Sequence, residues 1–386
     1  HKNLLSTDRR NRRIFRRKIH TQQRVRNVIN EYRNGEGKAD IASLTLPELQ
    51  EYLSELAAKS GVKIEKFRAK QIFEWLTRGI HDFDEMTNLS AKLREVLRTD
   101  AYLTLPRVKV KLVSQIDGTV KYLFELADGE CVESVFMRYE HGNTLCISTQ
   151  VGCRMGCTFC ASTLGGLVRN LQPSEMLGQI IAAQNDTGER ISNIVMMGIG
   201  EPLDNYDNTL KFLRLVNDPN GLNIGQRHIS LSTCGLCDKI RSLADQDLQI
   251  TLSVSLHAPN GKRRAKLMPV ARKFSLDELM SACRYYLDKT GRRISFEYSM
   301  IHGENDTPEC ARELADLLSG LLCHVNLIPL NAVKERSYEK SSREAIAEFM
   351  RILEARHITV TVRRRLGSDI NASCGQLRRS GSQSAT

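Results

Sequence analysis

The chain contains the stretch Thr144-Leu-Cys-Ile-Ser-Thr-Gln-Val-Gly-Cys153-Arg-Met-Gly-Cys157-Thr-Phe-Cys160, in which three closely spaced cysteines follow a strand-like run. A structural zinc site is normally closed by four ligands, and a four-iron cluster is normally held by four thiolates. Three thiolates therefore indicate a four-iron cluster that leaves one iron open to a small molecule. Phe159, directly before the last cysteine, adds an apolar wall against water.

Strand-like and helix-like segments alternate from Thr144 onward. This alternation implies a parallel sheet with right-handed crossovers, and six or seven units predict an open barrel rather than a closed eight-stranded one. In such barrels the chemistry lies on loops at the carboxyl ends of strands, where the cysteines fall. The predicted strands are Thr144–Gln150, Ile191–Met197, His228–Thr233, Gln249–Leu256, Arg293–Ile301, His324–Pro329 and Ile358–Arg364. The predicted helices are Pro173–Asn185, Tyr206–Val216, Leu236–Ala244, Leu276–Lys289, Pro308–Leu318 and Ser342–Ala355.

Two smaller parts precede the barrel. A helical module begins with a capping box formed by Thr45 and Glu48, with Pro47 in the first helical turn. A β-rich extension follows, in which Asp117-Gly118 marks a hairpin. The predicted domains are a basic tail (1–39), the helical module (40–103), the extension (104–140), the barrel (141–366) and a C-terminal segment (367–386).

Composition and charge limit the class of protein. Of 386 residues, 41% are hydrophobic and 26% are charged, as in ordinary soluble globular proteins. There is no apolar run of membrane-spanning length and no signal peptide, so we expect a cytoplasmic protein without a membrane partner. Eleven cysteines fit metal binding or catalysis better than a disulfide framework. Residues 1–39 hold 12 Lys or Arg and three acidic residues, which predicts a tail that is disordered or non-native, with an RNA-binding arm as the alternative.

The ends of the other predicted strands carry polar residues. Gly200 allows a ligand to approach the backbone closely, and Glu201 can pair with an ammonium group. Each of these loops taken alone is typical of ordinary turns. Together, on one barrel mouth, they predict a polar ring for an adenosyl and ribosyl group. The other members of the ring are Ser232, Ser255, His257 and Asn331.

Six segments carry a family resemblance. They are Cys146 with Cys153–Cys160, Met196–Leu203, Leu231–Gly235, Ser255–Asn260, Asn326–Pro329 and Asp369–Leu377. In this order they resemble the RlmN-type dual-specificity RNA methyltransferases of the radical S-adenosylmethionine (SAM) superfamily. The resemblance runs from about residue 40 to about residue 380. It implies an α/β fold, a partial (β/α)6 TIM-like radical SAM barrel with a small N-terminal helical domain and a β-hairpin extension.

The resemblance also implies an activity, cofactors and site residues. The activity is methylation of adenine carbon 2 in 23S ribosomal RNA, near the peptidyl transferase centre, and at position 37 of tRNA. The cofactors are a [4Fe–4S] cluster and two SAM molecules per turnover. The implied cluster ligands are Cys153, Cys157 and Cys160, and the implied catalytic residues are Cys374, Cys146 and Glu133. The implied SAM-binding residues are Gly200, Glu201, Ser232, Ser255, Leu256, His257 and Asn331.

The implied chemistry is physically coherent. Carbon 2 of adenine is not a nucleophile and cannot attack a sulfonium methyl group, whereas a thiolate can. Cys374 therefore takes the methyl group first, and a radical made from a second SAM removes a hydrogen from it. The resulting carbon adds to carbon 2, and Glu133 takes the carbon 2 proton. Cys146 then releases the product as a disulfide forms.

Several points stay open at the level of sequence. Pro202 and Pro329 favour the carbon 2 type over the related Cfr-type enzymes, which methylate carbon 8. A non-catalytic RNA-binding protein with a structural zinc is the alternative from another class. We expect a monomer that receives electrons from a donor such as flavodoxin or ferredoxin. Cys234 stands where the family commonly has Ser, which we interpret as a harmless departure. Three basic runs are candidate RNA-phosphate contacts, with simple solvated charges as the alternative: Lys262-Arg-Arg264, Arg363-Arg-Arg365 and Arg378-Arg379.

Overall fold

Helices build the first part of the chain. The computed structural model describes residues 26–331, 333 and 335–372. Helix α2 begins at the predicted capping box, in which the N–H and hydroxyl of Thr45 donate to the Glu48 carboxylate at 2.8 and 2.7 Å. The module consists of α1 (residues 26–31), β1 (Ala39–Asp40), α2 (Leu46–Ser60), α3 (Arg68–Arg78), α4 (Ala91–Asp100) and β2 (Ala101–Tyr102), which pairs with β1 in parallel.

The boundary of the basic tail at residue 39 differs from the prediction. Ile29 and Tyr32 are only 1% and 7% exposed and pack into the core of the helical module. The Asp40 N–H also donates to the Tyr32 carbonyl at 2.8 Å. These two residues are three positions apart, so both lie on the same face of the chain and point into the core. The prediction relied on the basic composition of the segment and did not use this spacing. Residues 1–25 of the predicted tail lie outside the described residues.

The β-rich extension is an antiparallel meander that continues the main sheet. It consists of β3 (Arg107–Val113), β4 (Val120–Glu125) and β5 (Cys131–Met137). The predicted hairpin joins β3 to β4, and Gly118 has a φ of 69° that suits its tight turn. Strand β5 pairs in antiparallel fashion with the first barrel strand, so the extension forms one edge of the barrel sheet.

Among the described residues, the barrel has seven parallel strands, and a helix follows each of the first six. Six of the seven predicted strands and all six predicted helices are confirmed, with ends shifted by a few residues, and α8 (Gly261–Leu267) is a helix that was not predicted. The strands are β6 (Thr144–Cys146), β9 (Asn193–Met196), β10 (Ile229–Thr233), β11 (Thr251–Ser255), β12 (Ile294–Met300), β13 (Cys323–Pro329) and β14 (Thr359–Val362). The helices are α5 (Pro173–Thr187), α6 (Tyr206–Asn217), α7 (Cys237–Ala244), α8 (Gly261–Leu267), α9 (Leu276–Thr290), α10 (Pro308–Leu318) and α11 (Arg343–Ala355).

The sheet is open, as the strand count predicted. Its order is β14-β13-β12-β11-β10-β9-β6-β5-β4-β3, which leaves β14 and β3 as the two edges. The core lies between this sheet and the outer helices, and strand residues such as Leu231, Leu252 and Phe296 are fully buried there. No helix in the described part of the chain is both long and apolar enough to cross a membrane.

The first predicted barrel strand is divided in two. Strand β6 ends at Cys146, and the chain then forms a separate antiparallel pair, β7 (Gln150–Gly152) with β8 (Leu167–Asn170). Ser148 causes the break, because its N–H donates to Gln179 Oε1 at 2.9 Å and its hydroxyl donates to the Glu133 carbonyl at 2.7 Å. The β7–β8 pair flanks the three-cysteine loop and holds its two ends together.

Candidate active site

The three cysteines of the loop line a single cavity at the carboxyl end of the barrel strands. The Cys153 N–H donates to the Gly166 carbonyl at 2.8 Å, which closes the loop at its base. The Thr158 N–H donates to the Leu267 carbonyl at 2.9 Å, which ties the loop to the end of α8. Strand pairing on one side and α8 on the other thus aim Cys153, Cys157 and Cys160 into the same space.

The electrostatics of the loop fit an iron–sulfur cluster. Burial raises the pKa of the Cys153 thiol to about 12, and the neighbouring Cys160 adds to that rise. Burial likewise raises the pKa of Cys157. Such thiols lose their protons readily only to a bound cation. Within the described residues, no three His, Cys, Asp or Glu side chains are arranged around one metal ion. In a four-iron cluster, each of the three thiolates would bind a different iron.

A buried arginine lies beside this loop. Arg264 is fully buried, and its Nη2 donates to the Cys234 carbonyl at 2.6 Å. Its Nε and Nη1 have no hydrogen-bond partner within the described residues. Its positive charge favours the thiolate form of Cys157 and lowers that pKa. The prediction that Arg264 contacts RNA phosphates is therefore wrong, because one turn of α8 points it inward.

Gly200 and Glu201 follow strand β9 and line the same cavity. Gly200 has a φ of 111°, and a Cβ there would lie 2.8 Å from the Gln150 backbone nitrogen, so a side chain cannot be accommodated. The N–H groups of Leu203 and Cys234 donate to the Glu201 carboxylate at 3.0 and 2.7 Å. Burial raises the pKa of Glu201, and these hydrogen bonds oppose the rise. The result is a fixed buried carboxyl group that can accept from an ammonium.

His257 follows β11 in a left-handed conformation, with a φ of 55°. The Ser299 N–H donates to His257 Nδ1 at 2.9 Å, so Nδ1 is the unprotonated ring nitrogen. Burial lowers the pKa of His257 to about 3, which keeps the imidazole neutral. Its ring meets Phe159 edge-on, with centroids 4.9 Å apart. Through this ring contact, His257 joins the carboxyl end of strand β11 to the cysteine loop.

The structure brings most of the predicted SAM-binding residues together, with two differences. Ser232, Ser255 and His257 line the cysteine cavity. The Leu256 side chain is fully buried and does not line the cavity. Its backbone N–H donates to the Glu297 carbonyl at 3.0 Å. Asn331 lines an adjoining cavity instead.

Sequence reasoning missed Glu297 on strand β12. It is 4% exposed and lines the cysteine cavity, where Ser295 Oγ and Asn326 Nδ2 donate to its carboxylate at 3.0 and 2.7 Å. Burial raises the pKa of Glu297, and the charge of Arg363 acts against this rise. The available signal was a single acidic residue in the middle of a strand with no other charged residue, where charge is seldom buried without a partner.

The adjoining cavity is lined by Cys146, Asn331, Arg363 and residues of the segment 367–372, which we call the end segment. It meets the cysteine cavity at three shared lining residues, Met197, Ile328 and Arg363. Cys146 is 3% exposed and packs with Val135 and Met137, and Ala372 of the end segment packs against the same cluster. Cys374, two residues further on, lies outside the described residues, as do Arg378 and Arg379.

Glu133 lies on β5, two positions before Val135, so both side chains are on the same face of the sheet. Val135 is the register partner of Cys146, which places Cys146 on that face as well. It is 1% exposed and lines neither cavity. Its carboxylate pairs with Lys121, with Nζ and Oε2 3.0 Å apart. The structure thus brings Glu133 and Cys146 to one face of the sheet under the end segment.

Comparisons with known proteins agree with this geometry. The Radical SAM superfamily model matches residues 147–318, and the "Ribosomal RNA large subunit methyltransferase N-terminal domain" model matches residues 39–103. The chain is 58% identical over 342 residues to the probable dual-specificity RNA methyltransferase RlmN of Alkaliphilus oremlandii, covering 89% of this chain and 98% of that protein. It is 53% identical to the corresponding protein of Clostridium novyi, covering 88% and 98%. A crystal structure of a radical SAM methyltransferase from Sphaerobacter thermophilus superposes with a TM-score of 0.82 at 45% identity, covering 87% and 98%.

An open parallel sheet with a three-cysteine loop after its first strand defines a radical SAM enzyme, and the superfamily match agrees. Its cofactors are a [4Fe–4S] cluster and SAM, which the cysteine cavity and its polar ring can hold. Within that superfamily, the chain belongs to the RlmN family of dual-specificity RNA methyltransferases.

Proposed function

We propose that this protein methylates carbon 2 of adenosine in 23S ribosomal RNA, near the peptidyl transferase centre, and at position 37 of tRNA. The observation that carries the proposal is the packing of the end segment against the Cys146 cluster through Ala372. Cys374 comes two positions after Ala372 in the sequence and 228 positions after Cys146. A methyltransferase acting on a non-nucleophilic carbon needs such a protein-borne carrier.

The cysteine cavity is the proposed place for the cluster and SAM. Cys153, Cys157 and Cys160 are the cluster ligands, and the Glu201 carboxylate accepts from the ammonium of SAM. When bound, the cluster and SAM supply a methyl group and a carbon radical that can remove a hydrogen atom. Phe159 and the neutral His257 exclude water from this space, since burial keeps both rings against each other. The remaining proposed SAM contacts are Gly200, Ser232, Ser255, the backbone at Leu256, and Asn331.

The adjoining cavity is the proposed place for the adenine. Its common wall with the cysteine cavity would set the base beside the methyl donor. Arg363, Arg364 and Arg365 are exposed at its rim and supply positive charge for the RNA backbone. Because the cavity lies inside the barrel mouth, the target adenosine must leave its base stack to enter.

Three side chains carry the proposed covalent chemistry. Cys374 accepts the methyl group and links its carbon to carbon 2 of the adenine. Glu133 takes the proton from carbon 2 as general base. Cys146 then attacks the Cys374 sulfur, so that the sulfur–carbon bond to the RNA breaks while a disulfide forms. The released carbon takes up a proton to become the methyl group, and the one surplus electron left by the radical addition would return to the cluster. The shared face of Glu133 and Cys146 under the end segment supports this division of roles.

The wider setting is part of the same proposal. The enzyme acts in the cytoplasm as a monomer, and a flavodoxin or ferredoxin reduces its cluster. The N-terminal helical module is the second contact for RNA, in agreement with its match to a ribosomal RNA methyltransferase domain.

The test is mass spectrometry of digested RNA after reaction with SAM that carries a deuterated methyl group. Incubation with 23S rRNA fragments and with tRNA should give 2-methyladenosine in both. Cys374→Ala should keep its iron and sulfide yet transfer no methyl group. Cys146→Ala should accumulate a covalent protein–RNA adduct, because the release step is missing.

Cys131→Ala is the matched control, since this half-exposed cysteine lies outside both cavities and should leave product formation unchanged. A product methylated on carbon 8 would assign the Cfr-type reaction instead. Full turnover by Cys374→Ala would overturn the carrier mechanism.

A further inference from the structure

A buried ion pair lies on the sheet face that carries Cys146. Lys121 of β4 and Glu133 of β5 are each only 1% exposed, with Nζ and Oε2 3.0 Å apart. Val135 is the register partner of both Lys121 and Cys146, so all four side chains share one face. Removing two charges from water is expensive, and a buried pair is weak evidence for stability. Stability alone therefore does not explain why this face carries charges.

The same ammonium group also holds the end segment. Lys121 Nζ donates to the backbone carbonyl of Asn371 at 3.0 Å, across 250 positions of sequence. Asn371 has a left-handed backbone with a φ of 46°. A lysine ammonium has three donors, so it can serve a carboxylate and a carbonyl at once.

The other end of the end segment is fixed to the β3–β4 hairpin. The Gly367 N–H donates to Asp117 Oδ2 at 2.8 Å. The Asp369 carboxylate accepts from the Ser114 hydroxyl at 2.7 Å and from the Gln115 N–H at 2.8 Å. The hairpin thus fixes the start of the segment, whereas Lys121 is one of the contacts at its inner end, beside the packing of Ala372.

We propose that Lys121 is a positioning residue that keeps the proton acceptor and the methyl carrier in register with each other. The inference rests on the proposed function, in which Glu133 takes the carbon 2 proton and Cys374 carries the methyl group. Lys121 bonds to Glu133 through its charge and to the backbone three residues before Cys374 through a hydrogen bond. Lys121 itself neither gives nor takes a proton.

The chemistry explains why such a link is needed. In the covalent adduct, the adenine is joined through one carbon to the Cys374 sulfur, so the end segment determines where carbon 2 lies. A general base works only within hydrogen-bond reach of the proton that it removes. A residue bonded to both parts fixes this distance, and small misplacements have large effects on rate.

The test replaces Lys121 and follows separate steps. Lys121→Met should lower the rate of product formation by at least about 100-fold, the usual contribution of a general base, while the covalent protein–RNA adduct accumulates on denaturing gels. Lys121→Arg should restore the rate to within about tenfold of wild type, because guanidinium keeps the charge and the donors. Lys109→Met is the matched control: it removes an exposed ion pair with Glu125 from the same hairpin and should change neither readout.

A second variant covers the case in which the loss of the Lys121 charge beside the buried Glu133 prevents folding. Lys121→Met combined with Glu133→Gln buries neither charge and should fold with a full complement of iron. Its adduct should form about tenfold more slowly than in Glu133→Gln alone, the effect of losing one hydrogen bond from a charged donor.

The outcomes separate this inference from the proposed function. Normal turnover by Lys121→Met beside an inactive Glu133→Gln would overturn only the role of Lys121. So would equal rates of adduct formation in the double variant and Glu133→Gln, or a loss of product that Arg does not restore. Full turnover by Glu133→Gln would overturn the role of Glu133 and, with it, this inference.

Discussion

At the scale of single residues, Cys234 is a fourth thiol in the cysteine cavity. It is 6% exposed and lines the same cavity as the three loop cysteines. It differs from them in its backbone, since it follows strand β10 and its N–H donates to Glu201 at 2.7 Å. Its side chain is therefore fixed by a tight turn, whereas the loop cysteines share one β7–β8 hairpin.

We predict that Cys157→Ser loses the cluster and that Cys234→Ser keeps it. Serine is a poor ligand for iron in place of a thiolate, and two remaining thiolates leave two irons without protein ligands. Iron and sulfide content, together with visible absorption after anaerobic purification, gives the comparison. Equal iron loss in both variants would mean that Cys234 is a fourth ligand and that no iron is open.

At the scale of elements, a polar contact joins the helical module to the barrel. The Asp40 carboxylate of β1 accepts from Ser43 Oγ at 2.6 Å and from Ser174 Oγ, in the first turn of α5, at 2.5 Å. Its other oxygen has no partner in the described structure. Burial raises the pKa of Asp40 to about 6, although the two hydroxyl groups act against the rise. Burial therefore favours the protonated form of Asp40, whereas the two hydrogen bonds favour its carboxylate.

This raised pKa predicts a pH-dependent stability. The folded protein keeps the Asp40 proton up to about pH 6, whereas the unfolded chain releases it at lower pH. The contribution of Asp40 to the free energy of unfolding is therefore present at low pH and is lost as pH rises through about 6. Between about pH 5 and about pH 7.5 the loss amounts to about 1.4 kcal/mol. Asn cannot titrate, so the free energy of unfolding of Asp40→Asn lacks this loss. Its difference from the wild-type value should therefore increase by about 1.4 kcal/mol, in favour of the variant, from about pH 5 to about pH 7.5. Chemical unfolding of both proteins at the two pH values measures this difference. A constant difference between the two proteins would contradict the prediction.

At the scale of the whole molecule, charge collects at the mouth of the barrel. Arg363, Arg364 and Arg365 follow edge strand β14 and are all exposed beside the adjoining cavity. Some exposed arginines elsewhere on the surface are paired locally, such as Arg312 with Glu309 and Arg351 with Glu348. The barrel mouth therefore offers phosphates a positive rim next to the proposed adenine cavity.

We predict that Arg364→Gln combined with Arg365→Gln weakens RNA binding mainly at low salt. Each phosphate contact adds to the number of counterions released, so the slope of log affinity against log salt should fall by roughly 1 to 2. Fluorescence anisotropy with a labelled RNA at several salt concentrations measures this slope. The control combines Arg312→Gln with Arg351→Gln, which removes the same charge from the outer helices and should leave the slope unchanged.

The sequence by itself determined the order of strands and helices, the cysteine loop and most of the polar ring. These features depend on local periodicity, turn residues and spacing, which neighbours in the chain decide. Strand Thr144–Gln150 was predicted as one element because its break at Ser148 depends on Gln179 and Glu133, which are distant in sequence.

Only the tertiary structure decided which charges are buried and what they contact. Arg264 turns inward although its neighbour Lys262 is exposed, and Ile29 packs into the helical module although basic residues surround it. The bond from Lys121 to Asn371 spans 250 positions. Burial and long-range contact are properties of the packed chain, since each depends on surfaces that form only when distant segments meet.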